Sequence, residues 1–176
     1  VFYNALEPRV SARVLINPQW SVKASYAKMN QYINLLTNAG VGLPTDLWLP
    51  ATELIKPQLS HQVAAGSVYE ITNDIDISIE GYYKTMDNVI EYKDGASYFS
   101  FEDNWEEKIN MGQGWAYGLE LLVRKKYGPI TGWVGYTWSK TERQFNRPGM
   151  ELSYGKPFPY TYDRRHDISI VATYKQ

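Results

Sequence analysis

The side chains best suited to chemistry lie at the ends of the extended segments of this sequence and in the long stretches between them. Asp163-Arg164-Arg165-His166-Asp167 is a dense group of charges, and paired guanidinium groups are suited to binding an anion. The same residue types would also form an ion-pair network on a polar sheet surface. On the sequence alone we favour the ion-pair network.

Two histidines, His61 and His166, raise the question of a metal site, because imidazole is a common ligand for transition metals. Each stands at the loop end of an extended segment without a second histidine beside it, and the chain has no cysteine. We therefore expect structural or rim positions and no metal. A calcium site needs regularly spaced acidic ligands. The acidic residues of one long loop lack that spacing and are expected to be solvated: Glu102, Asp103, Glu106 and Glu107.

Glu80 and Glu120 alternate with apolar neighbours and are the remaining candidates for a reactive pair of carboxylates. Hydrolytic carboxylate pairs stand about 5 to 10 Å apart, and nothing in the sequence places these two so close. No nucleophile elbow, phosphate-binding loop or zinc-hydrolase motif occurs. The sequence predicts neither an enzyme nor a bound cofactor.

Aromatic residues are more frequent in the long loops than an inert connection requires. Such rings can stack on sugars or aromatic siderophore groups, or can contact a partner protein. They can equally pack the loops against one another, and the sequence does not decide between these roles. The candidate ligand-contacting residues are Trp48, Tyr98, Trp105, Tyr154, Tyr160, Arg164 and Arg165.

The segments that carry these loops show a two-residue alternation of apolar and polar side chains. It is clearest in residues 20–26, 75–83 and 117–123, where helix spacing does not fit. Counting the weaker cases, we predict seven strands. They are joined alternately by short turns rich in Pro, Gly, Asn and Asp and by long loops. The turns are 17–19, 72–74 and 127–129, and the loops are 31–58, about 94–113 and about 143–163.

This alternation of short and long connections places all the long loops at one end of an antiparallel meander, as in an outer-membrane β-barrel. Tyr117 and Tyr127 share a face, ten positions apart. At about 3.3 Å per residue and a tilt of about 40°, they are roughly 25 Å apart along the membrane normal, the height of a barrel's lipid-facing band. We therefore expect the apolar faces to contact lipid, and a mean hydropathy of -0.43 is compatible with that.

The composition limits the other classes of function. A net charge of -1 argues against a nucleic-acid surface, and no apolar run is long enough for a membrane helix. The main alternative is a secreted lipocalin-like barrel that binds a small apolar ligand inside. An outer-membrane enzyme is a third reading that nothing in the sequence favours.

Several segments resemble the TonB-dependent receptors of the outer membrane, in particular those of Bacteroidetes-type bacteria. Each motif is short, and their order and spacing carry the likeness over nearly the whole chain. The segments are Leu6-Glu7-Pro8-Arg9, Trp20-Ser21-Val22-Lys23-Ala24-Ser25-Tyr26, residues 43–50 and 56–58, Tyr117-Gly118-Leu119-Glu120, Gly132-Trp133-Val134-Gly135-Tyr136-Thr137, and residues 158–167.

The resemblance implies a fragment from the second half of a transporter barrel with about 22 strands and a plugged lumen. Residues 1–176 are then expected to form a partial barrel domain without the plug domain or the remaining strands. An odd number of strands agrees with a fragment, because bacterial single-chain barrels close with an even number. The implied function is capture of a scarce nutrient at the outer loops and its import through the plugged barrel. The implied partners are membrane lipid, the TonB complex, the nutrient and, in some relatives, a surface lipoprotein.

Overall fold

The computed structural model describes residues 2–36, 47–93 and 105–175. Within these ranges the chain is built from strands and two short 3₁₀ turns, at Trp105–Lys108 and Ser153–Gly155. The strands are β1 Arg9–Asn17, β2 Trp20–Gln31, β3 Ile33–Leu36, β4 Leu47–Pro50, β5 Gln58–Glu70, β6 Ile75–Tyr92, β7 Ile109–Lys125, β8 Ile130–Gln144, β9 Phe158–Pro159 and β10 His166–Tyr174.

Seven long strands form one antiparallel meander in the order β1-β2-β5-β6-β7-β8-β10, which confirms the predicted all-β fold and strand count. The three turns 18–19, 71–74 and 126–129 meet at one end, which we call the turn end. At the last of them Gly128 has a φ of 104°, a conformation that glycine adopts without strain. The opposite end, which carries the loops 32–57, 93–108 and 145–165, is the loop end.

The structure differs from the predicted boundaries at the loop end. The first long loop contains an additional hairpin, because β3 pairs with β4 in a separate two-stranded sheet. β6 continues to Tyr92 and β7 begins at Ile109, so the second loop is shorter than expected. The two-residue strand β9 in the third loop adds to the edge of β8. Hydrogen bonding among distant loop segments forms these elements, and alternation within one segment does not reveal it.

The apolar face of the meander is exposed in the middle of the sheet and toward the turn end. Leu119 and Leu121 are 46% and 38% exposed, and Ile168 and Ile170 are 66% and 68% exposed. Because β1 and β10 are not paired with each other among the described strands, the sheet encloses no apolar interior of the lipocalin type. No helix in the described ranges has the length and apolarity needed to cross a bilayer.

Aromatic side chains form two rows on this apolar face. The row toward the loop end contains ring pairs with centroids 6.0 to 6.3 Å apart, Tyr83 with Tyr117 and Tyr117 with Trp138. The row toward the turn end consists of exposed rings on strand termini and one turn, Trp20, Tyr69, Tyr127 and Tyr174. We call these the upper and lower ring rows.

Beyond the upper ring row, two hydrophobic clusters cover the extension of the sheet. The first cluster joins the β3–β4 hairpin to the ends of β6 and β7 through Leu36, Leu49, Ile55, Ile90 and Ile109. Residue alternation along β7 places Ile109 on the same face as Tyr117, so the hairpin lies on the apolar face.

The second cluster covers the opposite face of the same extension. It consists of Val89, Phe145 and Leu152, with Met86 and Phe158 packed against it. Phe145 is fully buried and lies over Gly112, where an added Cβ would be 2.6 Å from its ring. The third loop therefore folds over the polar face of the sheet.

Candidate functional site

The polar face at the loop end carries a site centred on Arg143 of β8. Its Nη1 donates to Glu91 Oε2 at 2.8 Å and to the backbone carbonyl of Ile90 at 3.1 Å. The guanidinium carbon lies 3.7 Å from the centroid of the Tyr160 ring. This stacking and the ion pair connect β8, β6 and the third loop through one side chain.

The third loop presents a second ring next to this site. Tyr162 packs edge-on against Tyr160 with centroids 5.4 Å apart and is 60% exposed. The backbone of Tyr160 is fixed, because its amide donates to the Thr141 carbonyl at 3.0 Å. The site thus offers an exposed ring beside a charged pair, an arrangement that can bind a polar ligand by stacking and hydrogen bonds.

Burial raises the pKa of the Glu91 carboxyl, while the Arg143 guanidinium opposes that shift. Glu91 lies beyond the upper ring row, eight positions after Tyr83, and therefore outside the segment between the two ring rows. Its register partner Asn110 is 2% exposed, and the Oδ1 of Asn110 has no hydrogen-bond partner among the described residues. A buried acceptor without a hydrogen bond costs free energy. A closed site without water is therefore disfavoured here unless a donor group reaches Asn110 Oδ1.

The two arginines predicted as candidates, Arg164 and Arg165, have different surroundings in the structure. Arg165 Nη2 is 3.0 Å from Asp163 Oδ2, and Asp163 also accepts a hydrogen bond from the Thr141 amide at 2.7 Å. Arg164 is exposed, and its Nη1 is 4.0 Å from Asp167 Oδ1. The ion-pair network favoured from the sequence is present, and Arg164 is the arginine that remains accessible.

The aromatic candidates of the loops also divide into two groups. Trp48 and Tyr154 are exposed, at 64% and 97%, whereas Trp105 packs against the first cluster. Trp48 lies on the face of the β3–β4 hairpin that points away from that cluster, because Leu49 is the residue that faces it. Tyr98 lies outside the described residues.

The histidines occupy rim positions, as expected from the sequence. His61 Nδ1 is hydrogen-bonded to the Tyr26 hydroxyl at 2.8 Å, and His166 Nδ1 to the Tyr136 hydroxyl at 2.8 Å. The described residues contain no group of three or more side chains that could hold a metal ion. Of the acidic loop residues, Glu106 and Glu107 belong to the 3₁₀ turn, and Glu102 and Asp103 lie outside the described residues.

Below the site, the structure brings Glu80 and Glu120 together as register partners on β6 and β7, a proximity that the sequence did not predict. Lys23 reaches Glu80 across the intervening strand β5 and forms an ion pair with it. This is sterically allowed because Gly66 stands between them, and an added Cβ there would be 3.2 Å from the Lys23 side chain. Glu120 forms no ion pair within the described part of the chain.

A third group of charges lies on the polar face at the turn end. The buried Asp76 accepts hydrogen bonds from Arg124 at 3.2 Å and pairs with Lys126 Nζ at 3.0 Å. Lys126 also pairs with Glu70 at 3.1 Å, and its hydrogen bonds to Asp76 and Glu70 raise the pKa of the Lys126 ammonium group. These contacts join β5, β6 and β7 and have a structural role.

The described sheet has an exposed apolar face that carries two ring rows, and its opposite face is charged. Residues 2–176 match the family described as TonB dependent receptor-like, beta-barrel. The chain belongs to this family. No curated protein is significantly similar to it. The narrower likeness to Bacteroidetes-type receptors stays a prediction.

The family is one of outer-membrane receptors and transporters of Gram-negative bacteria. The apolar face of a barrel strand contacts lipid and the polar face lines the lumen. Outer-membrane barrels carry short periplasmic turns and longer extracellular loops, and the loop end of this chain corresponds to the latter. In a barrel of this family the Arg143 site would correspond to the luminal face at the extracellular mouth.

Sequence reasoning missed Arg143 and Glu91, which are 52 residues apart in the chain. Each is an isolated charge near a strand end, and neither belongs to a recognisable motif. One signal in the sequence could have placed Arg143. The hairpin at 126–129 determines the register of β7 and β8, and in that register Arg143 is the neighbour of Gly114. Glu91 could not be found in this way, because a register shift between Asp87 and Val89 changes its position.

Proposed function

We propose that residues 1–176 form part of the barrel of an outer-membrane receptor that binds a nutrient at its extracellular mouth and imports it through a plugged lumen. The observation that carries this proposal is the exposed apolar face between two ring rows on a chain of this family. Tyr and Trp prefer the two membrane–water interfaces. No chemistry on the nutrient is required, and we infer that the protein is not an enzyme.

The free strand edges support the further proposal that additional strands complete the barrel. β1 and β10 each pair with only one of the described strands. An unpaired backbone group in hydrocarbon costs several kcal/mol, so a sheet in a membrane needs partners along both edges. We propose that these edges continue into the other strands of the receptor.

The luminal charges support the presence of a plug. Glu120 is exposed and stands opposite Glu80, whose charge Lys23 already balances. Like charges directly opposite each other on neighbouring strands are destabilising. A basic group on the element that fills the lumen would compensate Glu120, and we propose the plug domain as its source. Coupling to the TonB complex would then act through that plug.

The mouth supports the proposed nutrient site. Tyr160, Tyr162 and Arg165 lie on the luminal side, and Arg164 and Tyr154 are accessible in the same loop. Trp48 and Trp105 belong to the outer layer of the mouth and are weaker candidates for nutrient contact. The exposed Trp48 suits contact with a surface partner such as a lipoprotein. Tyr98 stays a candidate without structural support.

The test is an uptake experiment with the whole receptor in its host. Cells lacking the gene are grown with one limiting nutrient at a time: an iron siderophore, haem, cobalamin, an oligosaccharide or a peptide. We expect one class to require the gene, and we expect its uptake to stop when the inner-membrane proton gradient is dissipated. Growth independent of the gene in every case, or uptake that persists without the gradient, would contradict the proposal.

A pair of variants then tests the mouth. Tyr162→Ala removes the exposed ring beside Tyr160, and we expect it to weaken nutrient binding by about tenfold, the loss of one stacking contact of about 1 kcal/mol or more. The matched control is Tyr174→Ala, which removes a similarly exposed tyrosine, 70% against 60%, from the lower ring row. Equal effects of the two variants would argue against a nutrient site at the mouth.

A further inference from the structure

The lipid-facing side of the sheet contains an apolar groove with a volume of about 770 Å³. Its floor is one register row of small residues on four neighbouring strands. Tyr83 of the upper ring row and Tyr26, two strands away in the same register row, rise beside it. The floor residues are Ala12, Ala24, Ala65 and Gly81. Small side chains beside large rings leave a depression as wide as several strands.

Lys28 and His61 lie two positions beyond the groove-lining residues Tyr26 and Val63, on the side of the loop end. They are register partners on β2 and β5, and they lie four positions from the floor residues Ala24 and Ala65 on the same faces. His61 Nδ1 is bonded to the Tyr26 hydroxyl. When Tyr26 donates in that bond, the neutral imidazole carries its proton on Nε2 and can donate it to an acceptor.

Lys28 is a cation without an acidic partner within the described ranges. The other cation on the same face near the upper ring row, Lys140, is 2.8 Å from Glu142. Asp87, on the same face, is two strands from Lys28 and one row further from the groove. A positive charge without an acidic partner among the described residues and a hydrogen-bond donor therefore lie just beyond the groove.

We propose that the groove and Lys28 bind one phosphorylated glycolipid of the outer leaflet, with an acyl chain over Ala24 and Ala65 and a phosphate at Lys28 and His61. The location determines the class of lipid. The groove lies on the turn-end side of the upper ring row and Lys28 and His61 lie on its loop-end side, and phosphorylated glycolipids form the outer leaflet of a Gram-negative outer membrane. An ammonium group and an imidazole N–H are suitable donors for phosphate oxygens.

The selectivity must come from the shape of the groove and from the headgroup. An acyl chain that moves from the bilayer into the groove leaves one apolar environment for another, so it gains packing contacts and almost no hydrophobic free energy. The ion pair at Lys28 is then the main contribution that distinguishes a phosphorylated lipid from an uncharged one. Removing either the charge or the groove should therefore release the lipid.

The experiment measures lipid binding to the purified full-length receptor in detergent, by native mass spectrometry. The probes are diphosphoryl lipid A, its dephosphorylated form and phosphatidylglycerol. We expect diphosphoryl lipid A to bind most tightly, and we expect Lys28→Gln to weaken it by about tenfold, the loss of one charge-assisted hydrogen bond. Ala65→Phe fills the groove and should have a similar effect.

Two matched variants separate the site from the general lipid-facing surface. Lys140→Gln removes a cation of the upper ring row that already has an acidic partner, and Ile170→Phe enlarges an apolar side chain outside the groove. Both should retain wild-type binding. The proposal is overturned if Lys28→Gln weakens binding no more than Lys140→Gln does, or if either reference lipid binds as tightly as diphosphoryl lipid A. Heat-dependent gel mobility confirms that each variant is folded.

Discussion

Between its two ring rows the sheet is a single layer, whereas beyond the upper ring row it is the middle of three layers. In the membrane segment, Leu121 and Ile168 face outward and are exposed, and no described element packs over them. In the extracellular extension, the β3–β4 hairpin covers one face and the third loop covers the other. The same strands β6 and β7 run through both segments.

The difference follows from the solvent. In the membrane, lipid tails cover an apolar face at no hydrophobic cost, so the protein needs no second layer there. Above the membrane, exposed apolar residues such as Ile90 and Val89 would contact water, and burying them contributes about 1.5 to 3 kcal/mol per side chain. The loops supply that cover. The rigidity of the mouth therefore depends on side chains, and the rigidity of the wall depends on strand pairing.

Removing Phe145 should have the largest effect, and it should act on the extension alone. Phe145→Ala leaves a cavity in the second cluster and should cost about 3 to 5 kcal/mol of the free energy that keeps the third loop closed. The amide of Leu152 donates to the Phe145 carbonyl, and its hydrogen exchange should accelerate by about a hundredfold or more. Amides of β7 between the ring rows should keep their protection.

Tyr154→Ala is the control for this variant, because Tyr154 belongs to the same loop and is 97% exposed. Its exchange pattern should match that of the unmodified protein. If Phe145→Ala accelerated exchange between the ring rows as strongly as in the third loop, the two segments would form one cooperative unit. The contrast between wall and mouth would then be lost.

A charge on the lipid-facing side should act in the opposite way. Leu121→Arg places a guanidinium group near the middle of the hydrocarbon band and should destabilise the barrel by about 2 to 4 kcal/mol. Leu122→Arg, one position away on the luminal face, should cost less than about 1 kcal/mol. Guanidinium unfolding of the receptor in lipid vesicles measures both. Equal midpoints for the two variants would mean that the faces are assigned wrongly.

The membrane segment was predictable from the sequence, and the mouth was not. The alternation of apolar and polar residues in 117–123 is a local pattern. It is strict because one face of the strand contacts hydrocarbon. The strands, their faces and both ring rows follow from it. In the hairpin β3–β4 the buried side chains of β3 are Asn34 and Leu36, whereas Ile33 and Leu35 are exposed, so residue polarity does not identify the buried face. The hairpin becomes stable only through contact with Ile90 and Ile109, which are far away in the chain.

The candidate site shows the same division. Counting charges identified Arg164 and Arg165, and the structure ties Arg165 to Asp163 within the same short segment. The sequence also predicted Tyr160 as a candidate, but it did not predict its stacking partner Arg143. Contacts between neighbours in sequence were accessible to reasoning from motifs. Contacts set by the register of four strands and the closure of a loop were not.

The smallest predicted effect concerns a single hydrogen bond in the lower ring row. Trp20 Nε1 donates to Ser67 Oγ at 2.7 Å across β2 and β5. Trp20→Phe should destabilise the barrel by about 0.5 to 1.5 kcal/mol, the net contribution of one such bond, while keeping an aromatic ring at the interface. Unfolding in vesicles of Trp20→Phe, Ser67→Ala and the double variant gives the coupling energy. A coupling near zero would mean that interfacial water or headgroups satisfy Trp20 equally well, so that even here the surroundings, rather than side-chain contacts, complete the wall.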